Sequence, residues 1–275
     1  MLCVFISVFV IIYSLSNANA LYLQSSASAD GFPLCGDCWC ATDNNGTAPC
    51  PGSSPETSFS SETLLALKEK TPVSIYSLTC NPYRDASCDT TPPQATFSQD
   101  DATPVCGLLY PACPGQAYSI VSYASREVAE GASAQVTHEG VCGLCSTAQD
   151  LAVYLSEDFT SAGKKCAAIG LLAEERGLQC YQEIGLTLEC ARIWNFDGIY
   201  DGTACLTSCI THLQDNNNGP APACELNECL QCDEDKAGPI FSQFAARTRR
   251  RSGLLSEIIR PCSTIATDIS HAPIC

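Results

Sequence analysis

Between residues 73 and 79 (VSIYSLT) apolar and polar side chains alternate, the period of a half-buried strand. Residues 117–124 (AYSIVSYA) and 133–137 (SAQVT) carry weaker versions of the same pattern. From Cys142 onward the period lengthens. Cys145, Ala148, Leu151, Ala152 and Leu155 fall on one face of a helix over 145–155, and Cys166, Ile169, Leu172 and Ala173 do the same over 161–175. Gly185 is expected to close a short helix at 178–184 as its C′ glycine. Thr187 caps a helix reaching about Phe196, with Glu189 in the first turn, where the helix dipole favours a carboxylate. Asp201 is expected to cap another, running to about Leu213 and stacking Cys205 and Cys209 one turn apart. A helix over 61–70, stopped by Thr71-Pro72, and a final one over about 238–250 complete the helical set. The Pro-, Asp- and Cys-rich stretches 21–58 and 80–115 read as loops, as does the polar run 215–220.

The pattern predicts an α+β fold, with a loop-rich, weakly β N-terminal half packed with a mainly α-helical C-terminal half. Residues 1–20 are set apart as a signal peptide. An apolar core at 2–13 is followed by small polar residues ending in Ala18-Asn19-Ala20, which places cleavage after Ala20. That apolar core is short for a span of about 20 residues, so the mature chain is expected to lack a membrane span. Beyond it the chain divides into a loop-rich, disulfide-stapled region (21–140), a helical, disulfide-stapled region (141–246) and a basic tail (247–275).

Composition sharpens this picture in one respect. The chain carries 21 cysteines and only 8% aromatic residues. Cys3 leaves with the signal peptide, and an even number remains. A lean core stapled by disulfides in an oxidising compartment follows, each bond typically worth about 2–4 kcal/mol. Eight cysteines lie between 35 and 113 and twelve between 142 and 275, which permits two self-contained disulfide units. Asn45-Gly46-Thr47 is an N-glycosylation triplet in a suitable loop.

Charge excludes one partner class. A formal net charge of −16 repels nucleic acid and anionic lipid. The distribution is uneven, with an acidic body up to residue 246 and a basic remainder.

Three groups of residues invite chemistry, the first of them in two ways. Cys142-Gly-Leu-Cys145 at a helix start, with His138 four residues upstream, has the form of a thiol–disulfide exchange site, because the helix dipole favours thiolate there. No βαβ pattern surrounds it, and the same spacing recurs at 35/38 and 229/232, which favours a scaffold role. The same His138, Cys142 and Cys145 have zinc-ligand spacing, with Asp150 or Cys166 to be supplied from elsewhere, but in an oxidising compartment cysteines pair more often than they ligate. Asp233 and Asp235, with Gly238, match the start of a calcium loop. The match then breaks, with Ala237 at a ligand position and Phe244 where a bidentate Glu belongs, leaving weak cation binding as their reading. Finally, Arg247-Thr-Arg-Arg-Arg251 resembles a convertase site, with cleavage after Arg250 or Arg251. Such cleavage requires an exposed, flexible segment, and the competing account has these arginines end a helix and pair with the acidic body.

Two segments, THEGVCGLCSTAQDLAVYL (137–155) and CLQCDEDKAGPIFSQFAARTRRRSGL (229–254), resemble a family of secreted cysteine-rich proteins without an assigned activity. The resemblance implies no catalytic residue and favours a folded setting for the basic cluster.

No Gly-x-Ser-x-Gly, no His-Glu-x-x-His and no recognisable nucleophile–base spacing is present. The expectation is therefore a secreted, extracellular binding or interaction protein, without catalysis or cofactor, whose partner is an unknown extracellular ligand or protein. The alternatives are a thiol–disulfide oxidoreductase using Cys142 and Cys145, or a precursor processed at 247–251.

Overall fold

The computed structural model describes residues 59–98, 103–113, 115–157, 159–212, 215–220, 224–254, 256–258, 260, 264–267 and 269–271. Helix α1 (Ser61–Lys68) starts where the Ser60 hydroxyl accepts from the Thr63 amide, and it buries Leu67. Short strands β1 (Thr71–Pro72), β2 (Ser77–Leu78) and β3 (Thr90–Thr91) follow, then the longer β4 (Val105–Leu109), β5 (Ala117–Tyr123) and β6 (Gln135–Glu139). The order in the main sheet is β1-β5-β4-β6, with β1 parallel to β5 and the other pairs antiparallel, while β2 and β3 form a separate ladder.

Alternation along these strands sorts the sheet's two faces. Leu108 and Tyr118 pack with Leu67 of α1 and with Ala148, Leu151 and Ala152 of helix α3 (Ala148–Ser156). Val105, Tyr123 and Val136 point the other way and are covered by Ala129 of the short helix α2 (Arg126–Gly131).

The helical half continues with α4 (Phe159–Leu172), α5 (Glu174–Ile184), α6 (Leu188–Ala204), α7 (Leu206–Thr211), α8 (Glu228–Lys236) and α9 (Gly238–Phe244), and ends in a 3₁₀ turn at Arg250–Ser252. Gly185 closes α5 at φ 114°, a left-handed conformation that glycine adopts without the Cβ penalty, as its position in the sequence implies. Trp194 of α6 is the hub of this half. Its ring stacks on Phe159 at 4.9 Å and meets Phe241 edge-on at 4.6 Å, with its Nε1 donating to the Tyr154 hydroxyl.

Six disulfides have both cysteines among the described residues: Cys80–Cys88, Cys106–Cys142, Cys145–Cys190, Cys166–Cys180, Cys205–Cys232 and Cys209–Cys229. The protein is thus a disulfide-rich α+β fold with its strands in the N-terminal half and mostly helices in the C-terminal half. Cys106–Cys142 ties β4 to the segment ahead of α3, so the cysteines do not separate into two self-contained units.

Local expectations fail at several places. Strand β4 lies in a stretch read as loop, because its short apolar run Val-Cys-Gly-Leu-Leu is flanked by Pro104 and Pro111. Only Ser77–Leu78 of the alternating segment 73–79 pairs as a strand, and the exposed Val73 and Ile75 remain outside the ladder. The acidic segment 232–236 is helix rather than loop. Asn227 caps α8 by accepting from the Leu230 amide, and the two Cys229 and Cys232 bonds hold one face inward while Asp235 faces solvent. Asp201 sits inside α6 and caps nothing, and the helix breaks four residues later at Cys205. The last helix stops at Phe244, before Ala246 takes a positive φ of 66°.

Candidate functional site

Disulfide geometry builds a concentrated group of ionisable side chains. Cys205 and Cys209, one helical turn apart, bond to Cys232 and Cys229, which are three residues apart on α8. The two helices are thereby clasped in antiparallel fashion. Asp201 lies one turn before Cys205 and Asp233 directly follows Cys232, so the clasp sets them side by side. Asp197, one turn further back on α6, joins them: one carboxylate oxygen from each of the three lies within 4.8 Å of the others. The Tyr83 hydroxyl, from the loop closed by Cys80–Cys88, donates to Asp197 Oδ1 at 2.6 Å, and its ring packs 5.0 Å from that of Tyr200.

These carboxyls do not titrate normally. Burial, then the Asp233 charge, holds Asp197 well above the usual carboxylate range. Burial, followed by the charges of Asp233 and Asp197, pushes Asp201 up to about 10. Asp233 is raised by burial and partly lowered again by a hydrogen bond from Asp201. At neutral pH Asp201 therefore keeps its proton and is hydrogen-bonded to Asp233. Glu234, beside the group, is held by Arg250 at 2.9 Å and Arg260 at 2.6 Å. Three carboxylates this close can share protons, as here, or hold a hard cation through oxygen ligands.

Residues 174–268, about a third of the chain, match a family of unknown function (DUF8771). No curated protein and no solved structure matches the chain. The matched stretch contains α5 to α9, all three aspartates, the double clasp and the basic cluster, and it includes the resemblance segment 229–254. Tyr83 and the resemblance segment 137–155 lie before it.

The residues singled out from the sequence meet different fates. Cys142 and Cys145 are both fully buried and bond to Cys106 and Cys190, respectively, instead of to each other. The alternative of an exchange site at a helix start does not fit this arrangement: α3 begins only at Ala148, so neither sulfur sits on its first turn, and each is taken by a different strand or helix, in keeping with the favoured scaffold role. His138 is fully buried, with Nε2 2.9 Å from Ser146 Oγ and Nδ1 2.8 Å from the Glu139 carbonyl. Burial, with the nearby Arg247 charge, holds it well below its ordinary pKa, in the neutral form. Both ring nitrogens and both thiols are thus committed elsewhere, which removes the zinc set. Asp150, the proposed extra ligand, instead accepts from Thr147 Oγ1, Thr187 N and Thr187 Oγ1, joining the starts of α3 and α6. Cys166, the other, bonds to Cys180.

Of the acidic pair, Asp233 enters the carboxylate cluster, whereas Asp235 faces solvent and accepts from Gln231. The arginines of the basic cluster are held in the fold. Arg247 is fully buried and donates to the carbonyls of Cys145 and Thr137 and to Thr137 Oγ1. Arg249 reaches the carbonyls of Tyr154 and Glu157 at the end of α3, Arg250 pairs with Glu234, and Arg251 donates to the carbonyls of Ser242 and Ala246. Ala20 and Asn45 lie outside the described residues. Asp197 and Asp201 were missed from sequence. The usable clue was their four-residue spacing (DGIYD) just ahead of the cysteine pair, which helical periodicity puts on one face.

Proposed function

We propose that this chain is a secreted extracellular binding or interaction protein that presents a disulfide-locked surface and carries out no covalent chemistry of its own. Six disulfides suit an oxidising compartment. Among the described residues no helix is long and apolar enough to cross a membrane. The observation that carries the reading is the state of its nucleophile and base candidates. Cys142, Cys145, His138 and Ser146 are all sealed from solvent, and both sulfurs are spent in separate bonds. A group without access to substrate cannot act on it.

The test is thiol labelling of the secreted protein without reduction, paired with an insulin-reduction assay. The expected result is no label on Cys142 or Cys145 and no turnover. Turnover that is lost in Cys142→Ser, in a variant that still folds, would replace the binding reading with the redox one. Secretion with cleavage after Ala20 is checked by N-terminal sequencing of the protein recovered from medium, where a chain starting at Leu21 is expected.

A further inference from the structure

A cleft of about 490 Å³ opens where the N-terminal ends of β4 and α2 meet the 3₁₀ turn, lined by Arg126, Glu127, Glu139, Arg251 and the apolar Pro104 and Val105. Its charges are ordered. The two arginines are half-buried and form the floor, while the two glutamates are exposed and form the rim. The positive floor is set in a chain of net charge −16. Arg251 is fixed in place, because its Nη1 donates to the Ser242 carbonyl at 2.7 Å and to the Ala246 carbonyl at 3.0 Å. Among the described residues no partner takes its Nε or Nη2. Arg126 is steadied by donating to the Thr267 carbonyl.

Gly140 keeps that guanidinium uncovered. A Cβ at this position would lie 3.5 Å from Arg251 Nη1 and 3.7 Å from its Cζ, in contact with the group. The backbone here is pinned by the Gly140 amide donating to the Pro104 carbonyl at 2.7 Å, at a φ of +85° that also favours glycine. The result is a preorganised cationic floor with an apolar wall and an anionic rim. A simple anion would meet the repulsion of Glu127 and Glu139, and a simple cation that of the arginines. A molecule bearing both charges a few ångströms apart satisfies both layers.

We propose that this cleft binds a small zwitterion of the amino-acid or short-peptide class, with its carboxylate against Arg251 and Arg126 and its ammonium against Glu127 and Glu139. The inference rests on the reading of the chain as a binding protein and gives that reading one ligand class.

Isothermal titration of the full secreted chain with alanylalanine, its N-acetyl derivative and its C-terminal amide tests it. The expected result is one-to-one binding of the dipeptide and a loss of roughly tenfold on blocking either end, the scale of a charged hydrogen bond removed. Arg251→Gln is expected to abolish binding. Because Arg251 also ties two carbonyls, the exposed Glu127→Gln/Glu139→Gln double variant supplies the second arm: it is expected to weaken the dipeptide and leave the N-acetyl form unchanged. No heat at low-millimolar dipeptide, equal affinity for the blocked forms, or indifference to the rim variants would overturn the site. Thiol labelling and insulin turnover address the binding-protein reading separately, so the two failures are distinguishable.

Discussion

The Tyr83 hydroxyl and Asp197 Oδ1 are 2.6 Å apart although 114 residues separate them in the chain. This contact latches the Cys80–Cys88 loop onto α6 and supplies a donor to a carboxyl that burial would otherwise leave poorly solvated. Tyr83→Phe removes the donor and keeps the ring. It is expected to cost about 1–3 kcal/mol, the penalty of an unsatisfied buried polar group, read as a lower urea midpoint at unchanged slope. An unchanged midpoint would show that the latch contributes nothing.

Asp201 gives the carboxylate cluster a pH signature. Its pKa is raised from 3.8 to about 10 in the folded chain, so folding takes up a proton between those values. The stabilisation is complete below pH about 4 and is lost as pH climbs toward 10. Asp197 and Asp233 act in the same direction. Through this group alone, the protein is expected to melt higher at pH 6 than at pH 9. Asp201→Asn keeps a donor for Asp233 and removes the titration. It should flatten that slope and raise the melting temperature at pH 8 by roughly 2–4 °C, as about 1 kcal/mol does in a chain of this size. A wild-type melting temperature that rises between pH 6 and 9, or a slope that persists in Asp201→Asn, would contradict the assignment.

Disulfide connectivity yields a direct prediction. A non-reduced digest should contain peptides joined through Cys106–Cys142 and through Cys145–Cys190, and none closed internally by Cys142–Cys145. Replacing both Cys145 and Cys190 with Ala opens a crosslink spanning 45 residues and is expected to cost about 2–4 kcal/mol.

Arg247 anchors the basic cluster from inside. Its guanidinium satisfies two carbonyls and a hydroxyl, and among the described residues no carboxylate forms an ion pair with it; burial lowers its pKa to about 10. Arg247→Met strands those acceptors and is expected to destabilise by about 3 kcal/mol or more. Arg247→Lys should recover only part, since one ammonium cannot span the three positions the planar fork reaches. Because a protease needs an extended substrate, the folded chain should resist a basic-specific convertase at Arg250 and Arg251 and be cut there only after reduction and denaturation. Rapid cleavage of the folded protein would show that the cluster leaves its sites.

Periodicity alone determined most of the helical half. The inward face of α3, the Gly185 stop and the position of Thr187 ahead of α6 follow from 3.6-residue spacing and local turn chemistry, which depend only on neighbours in the chain. The face expected for α4 does not: of Cys166, Ile169, Leu172 and Ala173 only Cys166 is buried, Leu172 is exposed, and the helix instead turns Phe159, Gly163 and Gly170 inward with Cys166. Cysteine number and net charge likewise set the disulfide-rich, acidic character without reference to coordinates. Tertiary structure decided which cysteines pair, because pairing depends on Cα separations that sequence spacing does not encode: Cys142 and Cys145, near neighbours, go to Cys106 and Cys190. It also decided the site. Asp233 read as a loop ligand beside Asp235 because the sequence shows adjacency. Only the antiparallel clasp of Cys205–Cys232 and Cys209–Cys229 turns Asp233 away from Asp235 and toward Asp201 and Asp197. The arginines at 247–251 carry the same lesson: the sequence allows a cleavable segment or a helix end paired with the acidic body, and only the fold shows that most of their partners are backbone carbonyls, with Glu234 receiving Arg250.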